Sequence, residues 1–454
     1  MKKKVFSVGY GEAVITPPAG IPIAGYFVPR YAKGKISDLR AIALALAYGE
    51  TKTLLISVDV CAVYRPELEK VRAAVTAATG IGADRLFIAA THTHTGPCTG
   101  KDRGFPYDEA PVLAYVDFMA EQIARAAVAA LADLKPAKMG YAVGHAPDRI
   151  AYIRRYRMKD GSVMTCPPVG DPNIDHPLGH LDQRVNVLRF DREGGETIVL
   201  MNYGLHADTT NGELISSDWV GWVQKTLDKC LDGVKCVCVM GAEGDVGSTH
   251  VFPAPGDMND TEISFDNEMK SPGMARFVGR ALAGTVLQVY DKVAYVDVDR
   301  LIMATHAVSV PMNVPDAKDL PRARQYAAWH EQGRDDLIPF KAMELTTVVA
   351  EALRMCSLAN GPAAKEMTLT GLCIGPVALV GLPGEPFTEI GERIKEIGGF
   401  DLILPCALTN GSEGYFPSAA AYGEGGYEAR TSPFKNTVAD TLVENAARLL
   451  QKIQ

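Results

Sequence analysis

Residues 54–97 read LLISVDVCAVYRPELEKVRAAVTAATGIGADRLFIAATHTHTGP. The apolar runs Leu54 to Val60 and Leu86 to Ala90 have the composition of buried strands, and the segment Pro66 to Ala78 between them has the apolar spacing of an amphipathic helix. A strand, a helix and a second strand in this order form a βαβ unit. The segment therefore predicts an α/β fold.

The same alternation continues along the rest of the chain. It predicts further helices at 112–134, 218–231, 274–290 and 434–453, and further strands at 185–190, 197–203, 295–311 and 369–382. The segments 149–155 and 295–310 have the pattern of adjacent antiparallel strands, so we expect an α/β (α+β) fold of mixed β-sheets flanked by helices. Two stretches, 159–179 and 249–272, have loop composition.

Composition restricts the classes of function. The 454 residues are 47% hydrophobic and 22% charged, which is typical of a globular protein with a large core, and the formal net charge is -8. Because no run of basic residues is interleaved with aromatics, we expect no nucleic-acid partner. The apolar stretch near Met1 is too short for an export signal, and no later stretch is long enough to span a bilayer. We therefore expect a cytoplasmic protein without stable membrane association, whose oligomeric state the sequence leaves open.

The nine cysteines predict free thiols in a reducing compartment rather than a disulfide framework. Cys236 and Cys238 have the spacing of a C-x-C metal pair. They lie within the strand-like run 234–240, however, and buried apolar strand residues are the simpler interpretation.

His92 and His94 directly follow the second strand of the βαβ unit. If they continue that strand, the alternation of side chains places both imidazoles on one face, at the C-terminal end where open α/β sheets bind ligands. Imidazole is the commonest metal ligand and titrates near neutral pH, so one ring could hold a metal while the other handles a proton. A pair of hydrogen-bonded structural histidines would have the same pattern.

Three other segments could contribute to such a site, although each has an ordinary structural explanation. His206 ends an apolar strand, and Glu385 lies in a turn between a strand and a helix, where a carboxylate can either bind a metal or cap the helix. The loop 241–248 could present backbone N–H groups to an anion, but it lacks the lysine of a P-loop. Tyr415 and Tyr427 lie in a glycine-rich segment, where tyrosines are usually surface or packing residues.

Taken together and in this order, the motifs resemble the catalytic domain of the neutral ceramidases, zinc amidases that cleave the N-acyl bond of ceramide. The resemblance extends nearly end to end, and the motifs that carry it are Thr16-Pro17-Pro18-Ala19-Gly20 with Gly25-Tyr26, Asp38-Leu39-Arg40-Ala41, Thr91 to Pro97, Ser217-Asp218 and Tyr427-Glu428. It implies one ceramidase-like catalytic domain over residues 1–454, without a C-terminal immunoglobulin-like domain.

The resemblance also implies the residues of the site. It matches the zinc ligands to His92, His206, Glu385 and Tyr415. It matches the residues that act on the scissile carbonyl to His94 and Tyr427, with an arginine from Arg154 or Arg155. Zn²⁺ held by two imidazoles, a carboxylate and a phenol would activate water for attack on an amide carbonyl. Asp59, Gly244, Asp245 and Ser248 are our candidates for substrate binding, and His250 is a further residue that could line the pocket.

Departures from the family pattern narrow the expected substrate. Gly247 stands where the ceramidases carry a catalytic serine, with Ser248 one residue later, and His206-Ala207-Asp208 stands where they have His-Pro-Thr. With neither the immunoglobulin-like domain nor an export signal, we expect a zinc-dependent amidohydrolase for a small soluble amide, lactam or N-acyl compound. The alternatives are a ceramidase proper or an ester or lactone hydrolase, a non-haem iron oxygenase, and a non-catalytic binding protein on the same fold.

Overall fold

The computed structural model describes residues 4–100, 105–252 and 270–454. In chain order its strands are β1 (Phe6–Val14), β2 (Gly34–Lys35), β3 (Arg40–Tyr48), β4 (Thr51–Val58), β5 (Leu86–Ala90), β6 (Lys135–His145), β7 (Tyr152–Ile153), β8 (Arg155–Met158), β9 (Val163–Thr165), β10 (Ile174–Pro177), β11 (Arg184–Arg192), β12 (Ile198–Tyr203), β13 (Leu214–Ile215), β14 (Lys235–Met240), β15 (Val246–Gly247), β16 (Ala294–Val296), β17 (Leu301–Pro311), β18 (Ala364–Ile374), β19 (Val377–Gly381), β20 (Glu385–Pro386), β21 (Leu402–Cys406) and β22 (Tyr415–Phe416). Its helices are α1 (Arg65–Thr79), α2 (Glu109–Ala132), α3 (Asp218–Cys230), α4 (Pro272–Tyr290), α5 (Leu320–Glu331), α6 (Ala342–Leu358), α7 (Thr388–Lys395), α8 (Ala419–Glu424), α9 (Tyr427–Thr431) and α10 (Val438–Ile453).

Two β-sheets pack face to face between two layers of helices. The larger sheet has the strand order β14-β12-β11-β6-β1-β3-β4-β5, with β16 beside β6, and the smaller has the order β17-β18-β19-β21. Apolar side chains from one face of each sheet, including Phe87, Leu200, Leu379 and Leu404, meet in one buried cluster. Helices α1 to α4 cover the other face of the larger sheet, and α7 and α10 cover that of the smaller sheet.

Strand β3 shows how the sequence separates these layers. Its alanines at 41, 43 and 45 face the helices, whereas Ile42, Leu44 and Leu46 face the smaller sheet. The small side chains let α2 lie close to the larger sheet. On the neighbouring strand β1, a Cβ added to Gly9 would come within 2.0 Å of a backbone oxygen of α2. Glycine is therefore required there by the close approach of the helix.

The βαβ unit predicted from residues 54–97 is present. Strands β4 and β5 pair in parallel with Leu54 opposite Leu86, and α1 connects them, with Pro66 in its first turn and Gly80 ending it at a φ of 73°. Two further parallel pairs, β12 with β14 and β19 with β21, are also separated by a helix, whereas β3 pairs antiparallel with both β1 and β4. The expectation of mixed sheets flanked by helices is confirmed.

Several predicted elements differ in detail. The segments 149–155 and 295–310 do contain antiparallel strands, but they pair elsewhere rather than with each other: β7 with β15, β16 with β6, and β17 with β18. The predicted strand 369–382 belongs to a hairpin of β18 and β19, because Gly375 reverses the chain at a φ of 56°. The predicted loop 159–179 contains β9 and β10, which flank β8. Of the predicted loop 249–272, residues 253–269 lie outside the described residues.

All nine cysteines are free thiols. Cys236 and Cys238 are buried in β14 with their sulfur atoms 3.9 Å apart, as the interpretation as apolar strand residues expects. In the described ranges, no helix is both long enough and apolar enough to cross a membrane.

Candidate metal centre

Five chain segments meet at one end of the two sheets, each following the C-terminal end of a parallel strand. The segments after β5, β12, β14, β19 and β21 carry, in that order, His92, His206, Glu243, Glu385 and Tyr415. Backbone hydrogen bonds join neighbouring segments, for example from Gly244 N to Pro386 O at 2.9 Å. This edge is where open α/β sheets gather their ligand-binding loops.

Three of these side chains converge on one point. Nε2 of His92 lies 3.4 Å from Oε2 of Glu385, and Nε2 of His206 lies 3.3 Å from the same oxygen. All three residues are buried, and their donor atoms lie within 4.8 Å of one another. Among the described residues, no donor makes a hydrogen bond of good geometry to Oε2 of Glu385. A buried carboxylate oxygen facing two imidazole nitrogens is satisfied well by a metal cation, so these residues fit one.

Backbone carbonyls hold both imidazole rings in place. Nδ1 of His92 donates to the Cys61 carbonyl at 2.7 Å, and Nδ1 of His206 donates to the Glu243 carbonyl at 2.8 Å. This hydrogen bonding selects the tautomer that leaves a lone pair on each Nε2, facing Glu385. Cys61 also forms a close group with His92 and His94, but the nitrogen of His92 nearest its sulfur is the one already bonded to its carbonyl.

Electrostatics at the cluster also favour a cation. Burial raises the pKa of Glu385, but His92 and His206 lower it further, to well below its usual range. Burial, helped by Arg154, lowers the pKa of His206 to about 4. Burial opposes charge on His92 too, but Cys61 and Glu385 raise its pKa above the usual range. One positive charge between His92 and Glu385 is therefore favourable, whether a proton or a metal supplies it.

Strand pairing places Tyr415 beside Glu385. The short strands β20 and β22 pair in parallel with these two residues opposite each other. The Tyr415 ring stacks on the His206 ring with centroids 6.5 Å apart, and the Arg154 guanidinium carbon lies 5.3 Å from the centroid of the Tyr415 ring. The fourth predicted ligand thus lies beside Glu385 and His206.

Adjacent arginines point to different places. Arg154 places Nη1 3.2 Å from Nε2 of His206 and donates from Nη2 to the Gly244 carbonyl at 2.8 Å. Arg155 instead donates to the Gly425 carbonyl at 2.8 Å and pairs with Glu424 at 3.0 Å. Arg154 is therefore the arginine at the cluster, and Arg155 connects β8 to the segment around α8.

Solved structures share this fold over the whole chain. Neutral ceramidase from Pseudomonas aeruginosa superposes with a TM-score of 0.73 at 17% identity, over 100% of this chain and 75% of that one. The chain folds like a neutral ceramidase. A ceramidase complexed with C2 superposes with a TM-score of 0.70 at 16% identity, over 99% of this chain and 76% of that one. No family model and no curated protein sequence matches the chain.

His94 and Tyr427, the residues expected to act on the carbonyl, border the cluster of this ceramidase-like fold. Nε2 of His94 lies 3.2 Å from Nε2 of His92, and burial lowers the pKa of His94 well below its usual value, so the ring is neutral near pH 7. The ring of Tyr427 meets that of Tyr415 edge-on with centroids 5.7 Å apart.

The reason that we expected His92 and His94 to converge is wrong. Strand β5 ends at Ala90, and His92 has a left-handed φ of 63°, so the two histidines do not continue the strand. Their rings meet because the chain turns at His92, where the backbone N–H donates to the Val60 carbonyl at 3.0 Å.

Two of the predicted substrate-binding residues are bonded within the protein. Asp59 accepts hydrogen bonds from Arg40 N at 2.9 Å and from the Thr91 hydroxyl at 3.1 Å. Asp245 accepts from the backbone N–H of Thr388 at 2.8 Å and from its hydroxyl at 2.9 Å. Asp245 therefore caps the start of α7, the structural role that the sequence had left open for Glu385.

Gly244 and Gly247 lie next to Arg154, and Ser248 follows them in the chain. A Cβ on Gly244 would come within 2.5 Å of the Glu385 carbonyl, so the loop can approach β20 this closely only with glycine. At Gly247, where the resemblance implies a serine in the family, a Cβ would lie 3.7 Å from the Arg154 side chain, which is ordinary contact. The Ser248 hydroxyl oxygen is buried and has no hydrogen-bond partner among the described residues.

His250 lies away from the cluster. Its ring stacks on Tyr152 with centroids 4.5 Å apart, and both line a cavity of about 330 Å³ together with Phe252. None of the converging ligands is part of that lining.

Three residues without a predicted role lie beside His94: Tyr26, Asp208 and Lys270. The Asp208 carboxylate is 3.9 Å from Nδ1 of His94, and it pairs with Lys270 and accepts from the Tyr26 hydroxyl. Burial raises the pKa of Asp208, but the positive charge of Lys270 lowers it further, so the carboxylate is ionised. In the sequence, the position of Asp208 two residues after His206 indicated that it lies near the site.

Proposed function

We propose that this protein is a zinc-dependent amidohydrolase that cleaves a small soluble amide, lactam or N-acyl compound. The convergence of His92, His206 and Glu385 at one buried point carries the proposal. The neutral ceramidase fold supports it, because the structures that share the fold are named as hydrolases of ceramide, an amide.

The donor set suits zinc. Two imidazole nitrogens, one carboxylate and one phenol, from His92, His206, Glu385 and Tyr415, would hold the ion and leave a position for water. Bound zinc supplies a Lewis acid that lowers the pKa of a water molecule enough to make it a nucleophile near neutral pH.

His94 and Arg154 would act on the substrate carbonyl. Each has a nitrogen 3.2 Å from a ligand nitrogen: Nε2 of His94 faces Nε2 of His92, and Nη1 of Arg154 faces Nε2 of His206. With a metal held by His92 and His206, His94 and Arg154 would be free to donate hydrogen bonds to the carbonyl oxygen and would stabilise the negative charge that develops there. Tyr427, whose ring meets that of Tyr415 edge-on, would donate a proton to the departing amine.

Gly247 favours a substrate other than ceramide. The residue leaves no side chain on β15 where the resemblance places a catalytic serine, and the neighbouring Ser248 hydroxyl is buried without a described partner. The same donors would serve an ester or a lactone, whose carbonyl develops the same charge. A non-haem iron oxygenase needs open positions for oxygen and substrate, and Tyr415 and Arg154 crowd the side of the cluster next to His206.

An activity screen tests the proposal. Protein stripped with a chelator and reloaded with zinc would be assayed without oxygen against N-acyl amines, N-acyl amino acids, cyclic amides, lactones and ceramide. We expect metal-dependent cleavage of a small amide that Glu385→Ala abolishes, while Asp133→Asn, which removes a carboxylate outside the cluster, retains it.

Other outcomes would count against the proposal in different ways. No turnover of any compound by folded, zinc-loaded protein would favour the non-catalytic alternative. Turnover that requires iron and oxygen would favour the oxygenase. If ceramide were cleaved much faster than every small amide, the proposal of a small soluble substrate would be wrong. We also propose a cytoplasmic location, in keeping with nine free thiols.

A further inference from the structure

Glu243 is a buried carboxylate without hydrogen-bond donors. Its side chain is 0% exposed, and neither carboxylate oxygen has a partner on another described residue. The buried carboxylates of Asp59, Asp218 and Asp245 each accept at least two hydrogen bonds. A buried carboxylate that lacks donors is costly, so a compensating charge is expected near it.

Glu243 belongs to the segment that holds the metal cluster. Its backbone carbonyl accepts the hydrogen bond from Nδ1 of His206 at 2.8 Å. Burial raises the pKa of Glu243 well above its usual range, whereas the positive charges of His92 and Arg154 oppose that rise and the negative charge of Glu385 adds to it. The side chain therefore lies beside the ligands, although it is not among the three donors that lie within 4.8 Å of one another.

Without Glu243, the positive charge of a metal-loaded site would not be balanced. A divalent cation held by two neutral imidazoles, a neutral phenol and the single carboxylate of Glu385 retains one unit of positive charge. Arg154 adds a second cation, but Glu428 balances it at 2.6 Å. An excess positive charge in a buried site has a high electrostatic energy, and a carboxylate a few ångströms away lowers it.

We infer that Glu243 is a positioning residue of the metal site, whose carboxylate balances the charge of the divalent cation and so raises the affinity of the site for it. The inference rests on the proposed function, because it requires that the cluster binds a metal. It adds a role for a carboxylate that ligates nothing itself.

Metal affinity in two variants tests this inference. Glu243→Gln keeps the size of the side chain and removes its charge, and Glu243→Met removes both the charge and the polar atoms. Zinc affinity would be measured by competition with a chromophoric chelator. We expect an affinity about 10- to 100-fold lower in each variant, the range typical of residues that support metal ligands. Asp133→Asn loses the same charge outside the cluster and should stay within about twofold of the wild type.

Thermal unfolding separates this role from a purely structural one. Without metal, the variants should melt at or above the wild-type temperature, because a buried carboxylate without donors has been removed. With zinc, they should melt below the wild type. The order of the melting temperatures of the wild type and each variant therefore reverses when zinc is added.

Two outcomes would overturn the inference, and a third would overturn the proposed function on which it rests. Zinc affinity within twofold of the wild type in whichever variant folds would show that Glu243 does not support the metal. Equal destabilisation with and without zinc would show a packing role. Failure of the wild-type protein itself to bind zinc would instead refute the proposed function, from which this inference starts.

Discussion

The candidate metal centre has a nitrogen side and an oxygen side that are built differently. His92 and His206, on the nitrogen side, follow strands of the larger sheet, and a backbone carbonyl holds each ring through Nδ1. Glu385 and Tyr415, on the oxygen side, belong to the two-residue ladder of β20 and β22 next to the smaller sheet. Oε2 of Glu385 has no partner of good geometry in the described part of the chain.

This difference indicates how metal binding and folding are coupled. On the nitrogen side, hydrogen bonds already orient the imidazoles before a cation binds. On the oxygen side, the buried carboxylate of Glu385 is satisfied only when a cation binds. Each side also has a carboxylate that anchors a threonine near a ligand, Asp59 with Thr91 on one side and Asp245 with Thr388 on the other.

Removing one ligand from each side should give the largest effects. We expect His206→Ala and Glu385→Ala each to lower zinc affinity about 1000-fold or more, since each deletes a donor from the set. In metal-free protein they should differ. His206→Ala leaves a cavity and a carbonyl without its donor, and should lower the free energy of unfolding by about 2 kcal/mol or more. Glu385→Ala removes a poorly satisfied carboxylate and should have a much smaller effect.

Chelator competition and urea unfolding in EDTA would measure both quantities. If the two variants were equally destabilised without metal, the distinction between the sides would fail. His92→Ala is the matched second variant for the nitrogen side and should behave like His206→Ala.

Asp59, the carboxylate that anchors Thr91 on the nitrogen side, should make the free energy of unfolding depend on pH. Burial raises the pKa of Asp59 to about 6, although hydrogen bonds from Arg40 and Thr91 oppose the shift. Because this folded-state value lies above the unfolded value of about 3.9, the contribution to stability is fully present below about pH 4 and is lost as pH rises through about 6. The loss would reach at most about 3 kcal/mol.

Asp59→Asn does not titrate and keeps the shape of the side chain. The free energy of unfolding of the variant should therefore increase relative to the wild type between pH 4 and pH 7, as measured by urea unfolding at several pH values. A difference between the two proteins that stays constant with pH would contradict the prediction.

Arg154 lies next to ligands on both sides of the centre, with Nη1 3.2 Å from Nε2 of His206 and its guanidinium carbon 5.3 Å from the centroid of the Tyr415 ring. Arg155 instead bonds to Gly425. We expect Arg154→Lys to lower kcat/KM about 30- to 100-fold, because a lysine does not reproduce the planar fork of donors. Arg155→Lys should leave kcat/KM within about threefold and lower stability by about 1 kcal/mol through its lost hydrogen bonds. Equal losses of activity in the two variants would show that Arg154 has no special place at the cluster.

The smallest expected effect concerns the anchor on the oxygen side. Thr388→Val removes the hydroxyl that donates to Asp245 and should lower the free energy of unfolding by about 1 kcal/mol. Zinc affinity should fall only a few-fold, because the backbone N–H of Thr388 still donates to Asp245. Thr388→Ser, which keeps the hydroxyl, should match the wild type. A loss of metal binding as large as that of Glu385→Ala would mean that this anchor, rather than the β20 and β22 ladder, positions the carboxylate.

The amino-acid pattern alone predicted the elements whose signal is local. The βαβ unit of residues 54–97 is recognisable because apolar periodicity and the Pro66 and Gly80 boundaries all act within one turn or one strand. Strands such as β3 and helices such as α5 and α6 were not predicted. The alanines of β3 weaken its strand signal, and they are explained only by the close packing of α2.

At the candidate site, the sequence determined which residue types were present and that they follow strands. It could not decide between Arg154 and Arg155, or whether Glu385 binds a metal or caps the helix that follows it, and it assigned no role to Glu243. Those choices depend on the left-handed turn at His92, on the pairing of β20 with β22, and on backbone bonds between segments far apart in the chain. Only the packed tertiary structure sets the direction of those side chains, because local periodicity constrains a residue's neighbours along the chain and not the distant segments it meets.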